Sequence, residues 1–186
     1  VTEQPGAPFA IRRLTTEEAR ARIADLGAVL ADCVEGGASV GFMAPLSRET
    51  ADRFWQRVVD GVAAGERVLL VAEDRSTGEI AGTVQVVLAM PENQPHRGDI
   101  AKMLVRRSAR RQGLAGRLML AAADAALAAG KTLLVLDTVT GSDAERLYAQ
   151  LGWTRVGVVP GYALWPDGRP CDTTIFYKNL APEPAT

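Results

Sequence analysis

The 186-residue chain is poor in the residues from which several kinds of site are built. It has two cysteines, Cys33 and Cys171, far apart and in no CxxC or Cys/His spacing, so neither a disulfide framework nor a zinc site is expected, and both read as packing thiols. Its one histidine, His96, stands in a Pro- and Asn-rich turn with no partners spaced for a Ser-His-Asp or metal role, and reads as a surface residue at a cleft rim. Net charge is lacking too. With 21 basic and 22 acidic residues and a pI near 5.9, nothing global attracts nucleic acid. No apolar run approaches the roughly 20 residues of a membrane-spanning helix. The opening "VTEQPGAPFA" has no basic segment followed by an apolar core, so no intact signal peptide is expected and the expected location is the cytoplasm.

What is present is a run of well-punctuated elements. "LTTEEARARIADLGAVLADCV" predicts a first helix ending near "EGGA", and "LSRETADRFWQRVVDGVAAG" a second that stops at Gly65. "RVLLVAED" and "EIAGTVQVVLAM" predict a hairpin around "RSTG", followed by a strand over "GDIAKMLV". "GLAGRLMLAAADAALAAG" predicts a helix stopped by Gly130, and "TLLVLDTV" a strand buried on both faces. "GSDAERLYAQLG" predicts a short helix with Ser142 and Glu145 spaced as a capping box. "WTRVGVVPGYAL" and "TTIFYKNL" predict two closing strands around "WPDGRP". The pattern is one α/β (α+β) domain over residues 1–186 with a mixed sheet and no internal repeat, residues 1–8 and 181–186 being expected as flexible ends.

The stretch "RRSARRQGLAGRLML", residues 106–120, stands where a strand gives way to a helix. The first N–H groups of a helix have no intrahelical partner, and its dipole adds partial positive charge there. Gly113 and Gly116 let a ligand approach the main chain, and Arg106, Arg107, Arg110 and Arg111 add full charges, so the end suits a phosphate. No GKS or GKT ends the loop, as a Walker A motif would, and the glycines do not space as GxGxxG. By itself the stretch fits a basic surface turn equally well.

"RRQGLA", residues 110–115, matches the Arg/Gln-x-x-Gly-x-Gly/Ala signature of the GNAT superfamily of N-acetyltransferases, between a strand and a helix as in that family. The resemblance runs from about residue 67 to 180 through "DIAKMLV", "LLVLDT", "AERLYAQLGW" and "VPGYALWPDG"; the last, with "LDTVTGSDAERLY", is similar to the tabtoxin-resistance type. The first two helices match weakly. The resemblance implies the GNAT fold, a mixed, mostly antiparallel sheet with splayed central strands flanked by helices. It also implies acetyl-CoA as co-substrate and no metal. The pyrophosphate would lie on the amides of Arg111, Gln112, Gly113, Leu114, Ala115 and Gly116 beside Arg110, and the pantetheine along Met103, Leu104 and Val105. Where many relatives carry Asn near the start of the following helix, this chain offers Ser142 or Asp143.

Acetylating an amine requires its neutral form, and an alkylammonium with a pKa of about 10.4 needs a base. Asp99, at the start of the cofactor strand, and Asp137, at the end of the adjacent strand, are the candidates, Asp99 through water. Both also fit strand-end or turn roles. Tyr148 belongs to the apolar stripe of Ala144, Leu147 and Leu151, and periodicity alone makes it a core aromatic. The resemblance adds a role for it, protonating the departing CoA thiolate. Phe42, Met43 and Trp55 are candidates for the acceptor pocket or for the core, and Trp165 for its rim. The expected activity is direct acetyl transfer in a ternary complex to a primary amine of a small molecule, such as an amino-acid analogue, antibiotic or toxin-like metabolite. Acetylation of a protein lysine or N-terminus, and a non-catalytic acyl-CoA-binding module, are the alternatives. No nucleic-acid or membrane partner is expected, and a homodimer is compatible with the sequence.

Overall fold

The computed structural model describes residues 7–180, so all but Ala7 and Pro8 of the two expected flexible ends lie outside the described residues. Pro8 is held, its carbonyl accepting the N–H of Arg75 at 2.9 Å. The chain runs β1 (Phe9–Arg13), α1 (Thr16–Ala21), α2 (Ile23–Glu35), α3 (Arg48–Ala63), β2 (Arg67–Asp74), β3 (Ile80–Val87) and β4 (Arg97–Val105). After a 3₁₀ turn at Arg107–Ala109 come α4 (Leu114–Ala128), β5 (Leu133–Val139), α5 (Asp143–Gln150), β6 (Thr154–Leu164) and β7 (Pro170–Asn179).

Three elements depart from expectation. The first helix is broken at Arg22 (φ −109°, ψ 14°). That side chain donates to Asp25 at 2.5 Å and to the Gly78 carbonyl at 2.6 Å, tying the chain to the β2–β3 turn at the cost of one helical residue. Thr15 and Glu18 form the reciprocal capping box that starts α1. The arm before it contains β1, which pairs antiparallel with β2 from Phe9↔Asp74 to Arg13↔Leu70. At α5, Ser142 accepts the Glu145 N–H, but the Glu145 carboxylate reaches Gly141 N–H, one residue beyond the box position.

The sheet order is β1-β2-β3-β4-β5-β7-β6, antiparallel except between β4 and β5. Side chains alternate across it with period two. Val68, Leu70, Val84, Val86 and Ile100 pack with Leu114, Leu118 and Ala122 of α4, while Leu69, Val71 and Leu104 pack with Leu26, Leu30, Trp55 and Val59 of α2 and α3. Each fully buried Leu or Val on these faces contributes about 1.5–3 kcal/mol relative to exposure. Among the described residues no helix is long and apolar enough to cross a membrane.

The chain has three lysines against eighteen arginines. Two of the three hold the fold. Buried Lys131 donates to the carbonyls of Leu88 and Pro95, at 2.8 Å each, and so pins both ends of the loop leading into β4. Lys178 donates to the Leu151 carbonyl at 2.6 Å, where a cation satisfies the C-terminus of α5. The third, Lys102, stands in β4 itself.

Candidate active site

β4 and β5 are in register only from Arg97↔Leu133 to Asp99↔Val135. Beyond that they part, leaving a cleft between the later halves of two adjacent strands. On its other side β4 carries a bulge. Thr83 pairs with Leu104 and Gln85 with Ala101, so two residues of β3 span three of β4. Lys102 takes up the excess with φ +49°, a left-handed conformation unusual for lysine.

At the end of β4 the chain makes a cradle. None of the six consecutive amides from Arg111 to Gly116 donates a hydrogen bond among the described residues. Arg111 (φ +62°) and Gly113 (φ +75°) are both left-handed, which turns successive N–H groups toward one point at the N-terminus of α4. A methyl built on Gly113 would meet no protein atom within 4 Å, so the space above it is open. These features fit a pyrophosphate. The arginines divide. Arg107 is held by Asp32, which accepts from its N–H at 2.8 Å and its Nε at 2.9 Å. Arg106 lines a separate pocket with Asp25 and Glu79 near the β2–β3 turn. Only Arg110, whose Nε donates to Val105 carbonyl at 3.3 Å, and Arg111 remain exposed at the cradle, so two of the four charges expected there serve elsewhere.

Past the end of their pairing, β4 and β5 present side chains to both faces of the sheet. Asp99 lies on the α2–α3 face, and Asp137, two residues beyond its partner Val135, shares that face. Leu134 and Leu136, of opposite parity, pack with Tyr148 in the α4-side core. Burial raises the Asp99 carboxyl above the usual range; the Arg97 guanidinium, 3.4 Å away, opposes this and Asp137 adds to it. Its Oδ1 is buried without a hydrogen-bond partner among the described residues. Burial, with Asp137 second, also pushes the Tyr148 phenol well above its ordinary value, so it is protonated at neutral pH. The Tyr148 ring rests on Trp153 and Phe176, with centroids 6.0 and 6.1 Å away. Burial pulls the Lys102 ammonium below the usual lysine range, which Asp137 opposes and Arg67 reinforces. Asp137, exposed to the cleft, is thus the one charge that Asp99, Lys102 and Tyr148 all feel.

A family model described as the acetyltransferase (GNAT) family matches residues 31–153. The chain belongs to the GNAT acetyltransferase family. A relative from Azospirillum brasilense, described as an uncharacterized N-acetyltransferase in the hisH-hisA intergenic region, is 37% identical over 108 residues, 57% of this chain and 61% of its own length. The chain thus matches about three fifths of that relative. Among solved structures, yncA of Salmonella typhimurium, determined with its cofactor acetyl-CoA, gives a TM-score of 0.76 at 18% identity, covering 96% of this chain and 97% of that one. Ribosomal-protein-alanine N-acetyltransferase of Brucella melitensis gives 0.75 at 21% identity, covering 91% and 99%. At such identities these two likenesses are of fold.

Within this GNAT fold the remaining predicted residues fall as follows. Met103, Leu104 and Val105 line the parted half of β4, with Leu104 buried on the α2–α3 face. Ser142 is the N-cap of α5, its Oγ 3.4 Å from Thr138 Oγ1. Phe42, half-buried in the loop between α2 and α3, faces β4, and Met43 beside it is exposed. Trp55 is not at the pocket surface. It is fully buried, because Ala51, Trp55, Val58 and Val59 make the face of α3 that packs on the sheet. Its neighbour Phe54 takes the cleft-side position, stacked edge-on with Phe42 at 5.2 Å. Trp165 is half-buried at the β6–β7 turn, and His96 is exposed. Lys102 and Phe54 escaped the sequence reading. The signal for Lys102 was a lone lysine within the apolar run Ile100–Val105.

Proposed function

We propose that the protein transfers acetyl from acetyl-CoA directly to the primary amine of a small molecule. The observation that carries the acceptor class is a strap across the cleft. The loop between α2 and α3 lies over β4 at Phe42, and it is also joined to the β6–β7 hairpin on the other side. Ser39 Oγ donates to the Leu164 carbonyl at 2.6 Å, and Ala44 N–H to the Pro166 carbonyl at 3.0 Å. A cleft bridged in this way accepts a compact molecule more readily than an extended polypeptide, and the tabtoxin-resistance resemblance points the same way.

Bound acetyl-CoA would supply an acetyl group activated as a thioester. Arg111 to Gly116 would hold its pyrophosphate by main-chain N–H groups, with Arg110 and Arg111 adding charge, and the parted stretch Met103–Val105 offers main-chain groups to the arm. Asp99 and Asp137, on the acceptor face, would take the proton of the incoming ammonium. The raised carboxyl of Asp99 suits it to accept a proton, and its side chain, partly exposed, could do so through water. Tyr148, reached from the α4 face, would protonate the sulfur leaving on that side. Base and acid would thus sit on opposite faces of the sheet, the carboxylates toward the amine, which loses one proton before attack and a second after it, and the phenol toward the thiolate, which gains one.

The test is a panel of small primary amines, a lysine peptide and an N-terminal peptide, each supplied with acetyl-CoA and read by release of free CoA thiol. Turnover confined to small amines is expected. Faster turnover of the peptides would overturn the acceptor class, and binding of acetyl-CoA without turnover of anything would favour a sensing module.

A further inference from the structure

Lys102 is built into the face proposed for the acceptor with no carboxylate in contact among the described residues, Asp137 acting on it only from farther away. Its left-handed φ of +49° is a conformation that surrounding structure must hold in place. Its Nζ lies 6.0 Å from the Phe42 ring centroid and 5.6 Å from that of Phe54, and 3.6 Å from where a methyl on Gly41 would stand. Aromatic faces steady an ammonium but do not neutralise it, and among the described residues no carboxylate comes within 4.0 Å of it. Nearby charges leave it in excess. Arg97 is paired with Asp99 at 3.4 Å, and Arg67 donates to the neutral amide oxygen of Gln85 at 3.0 Å. Lys102 and Arg67 therefore face one uncommitted carboxylate, Asp137. A half-buried cation with no anion in contact is unfavourable, and a ligand that brings one is favoured accordingly. In a chain with only three lysines, two of them committed to carbonyls of the fold, this one is no generic surface charge.

We infer that the acceptor is zwitterionic: its anionic oxygen group, a carboxylate in the simplest case, is received by Lys102 between Phe42 and Phe54, while its amine lies against Asp137. This rests on the small-amine reading and narrows it. An acceptor bearing only an amine would arrive as a cation in a cleft already rich in positive charge. A zwitterion contributes one charge to each side.

The experiment uses acceptor pairs that differ in that group alone, amino acids and their primary amides, with saturating acetyl-CoA and release of free CoA thiol as readout. The wild-type protein is expected to prefer the carboxylate member by about tenfold or more in kcat/KM, as a charge-assisted contact would give. K102M should bring the ratio close to one, chiefly by raising KM for the carboxylate member, and K102R, which keeps the charge, should retain most of it. A wild-type protein indifferent to the carboxylate would overturn the inference and leave the small-amine reading standing. So would a K102M variant that loses kcat equally on both members, for then Lys102 acts on the amine and not on an anion. If neither member of any pair is acetylated while peptides are, both readings fall together.

Discussion

On the α4 side of the sheet, the proposed phosphate cradle consists of six successive main-chain amides, residues 111–116, that donate to no acceptor among the described residues. On the other side, the proposed acceptor wall would take Phe42 from a loop, Phe54 from α3, Asp99 and Lys102 from β4, and Asp137 from β5. The donor end is written in backbone conformation, over one contiguous stretch. The acceptor end is written in side chains that meet only after folding. A site of the first kind tolerates changes of side chain but not of φ, and one of the second kind responds to single functional groups.

The contrast is broken or sharpened most strongly at Tyr148. Tyr148→Phe keeps the ring on Trp153 and Phe176, and the hydroxyl makes no hydrogen bond among the described residues that the change would orphan. Turnover is expected to fall about 10²–10⁴-fold, as on loss of a general acid, with acetyl-CoA affinity and Tm nearly unchanged. Full turnover in that variant would make the tyrosine a core aromatic alone.

Next in size are the carboxylates. Asp137→Asn and Asp99→Asn should each lower turnover on the order of 10–100-fold near neutral pH and less at high pH, where the free amine is abundant without help. Because the Asp99 carboxyl is raised, the folded protein binds that proton more tightly than the unfolded chain. Its contribution to stability is therefore present at low pH and lost as pH rises through the folded value, so Asp99→Asn should melt no lower than wild type at pH 7. An unchanged pH-rate profile in both variants would remove the base from this site.

At the donor end, Gly113→Val puts a β-branched residue at φ +75° and a side chain into open space above the cradle, and should weaken acetyl-CoA binding about tenfold or more by calorimetry. Gln112→Ala should leave affinity within about twofold, since only its amide is used. Equal effects would contradict a backbone-written site.

The smallest effect belongs to Asp32, whose carboxyl burial would raise but whose hydrogen bonds from Arg107 bring it below the usual range. Asp32→Asn should cost roughly 1 kcal/mol at pH 7, measured by urea unfolding. Its contribution is present above the unfolded carboxylate value near pH 4 and lost as pH falls through the lower folded value, so the difference between the two proteins should shrink as pH is lowered below that range. Acetyl-CoA affinity should not change, because Arg107 serves the fold.

The same contrast explains what could be read from the sequence. The strand-to-helix turn before α4 was legible because turn chemistry is local, and β2, β3 and α4 because their apolar periods are long and clean. β1 was missed because five residues, two of them arginine, carry little period and gain their strand character from pairing with β2. The break at Arg22 was hidden because arginine is a good helix former and the contact that ends the helix, with Gly78, lies 56 residues away. Arg107 looked like a phosphate ligand because Asp32, its partner, is 75 residues earlier. Trp55 and Phe54 are neighbours, and only the angle at which α3 meets the sheet decides which one reaches the cleft.

The scarcity of lysine also bears on the safety of the protein toward its own reagent. A thioester acetylates free amines, and a surface bristling with lysines would be a standing competitor for the donor. Here Lys131 is buried between two carbonyls and Lys178 is spent on the end of α5, while the surface charge is carried by arginines, which remain protonated and poorly nucleophilic. Among the described residues only the Lys102 ammonium is bonded to no carbonyl, and it lies on the face proposed for the acceptor. Incubation with acetyl-CoA in the absence of acceptor should therefore leave Lys131 and Lys178 unmodified by peptide mass spectrometry, and any acetyllysine that forms should be at residue 102, marking the protein by self-capping at its own acceptor cleft.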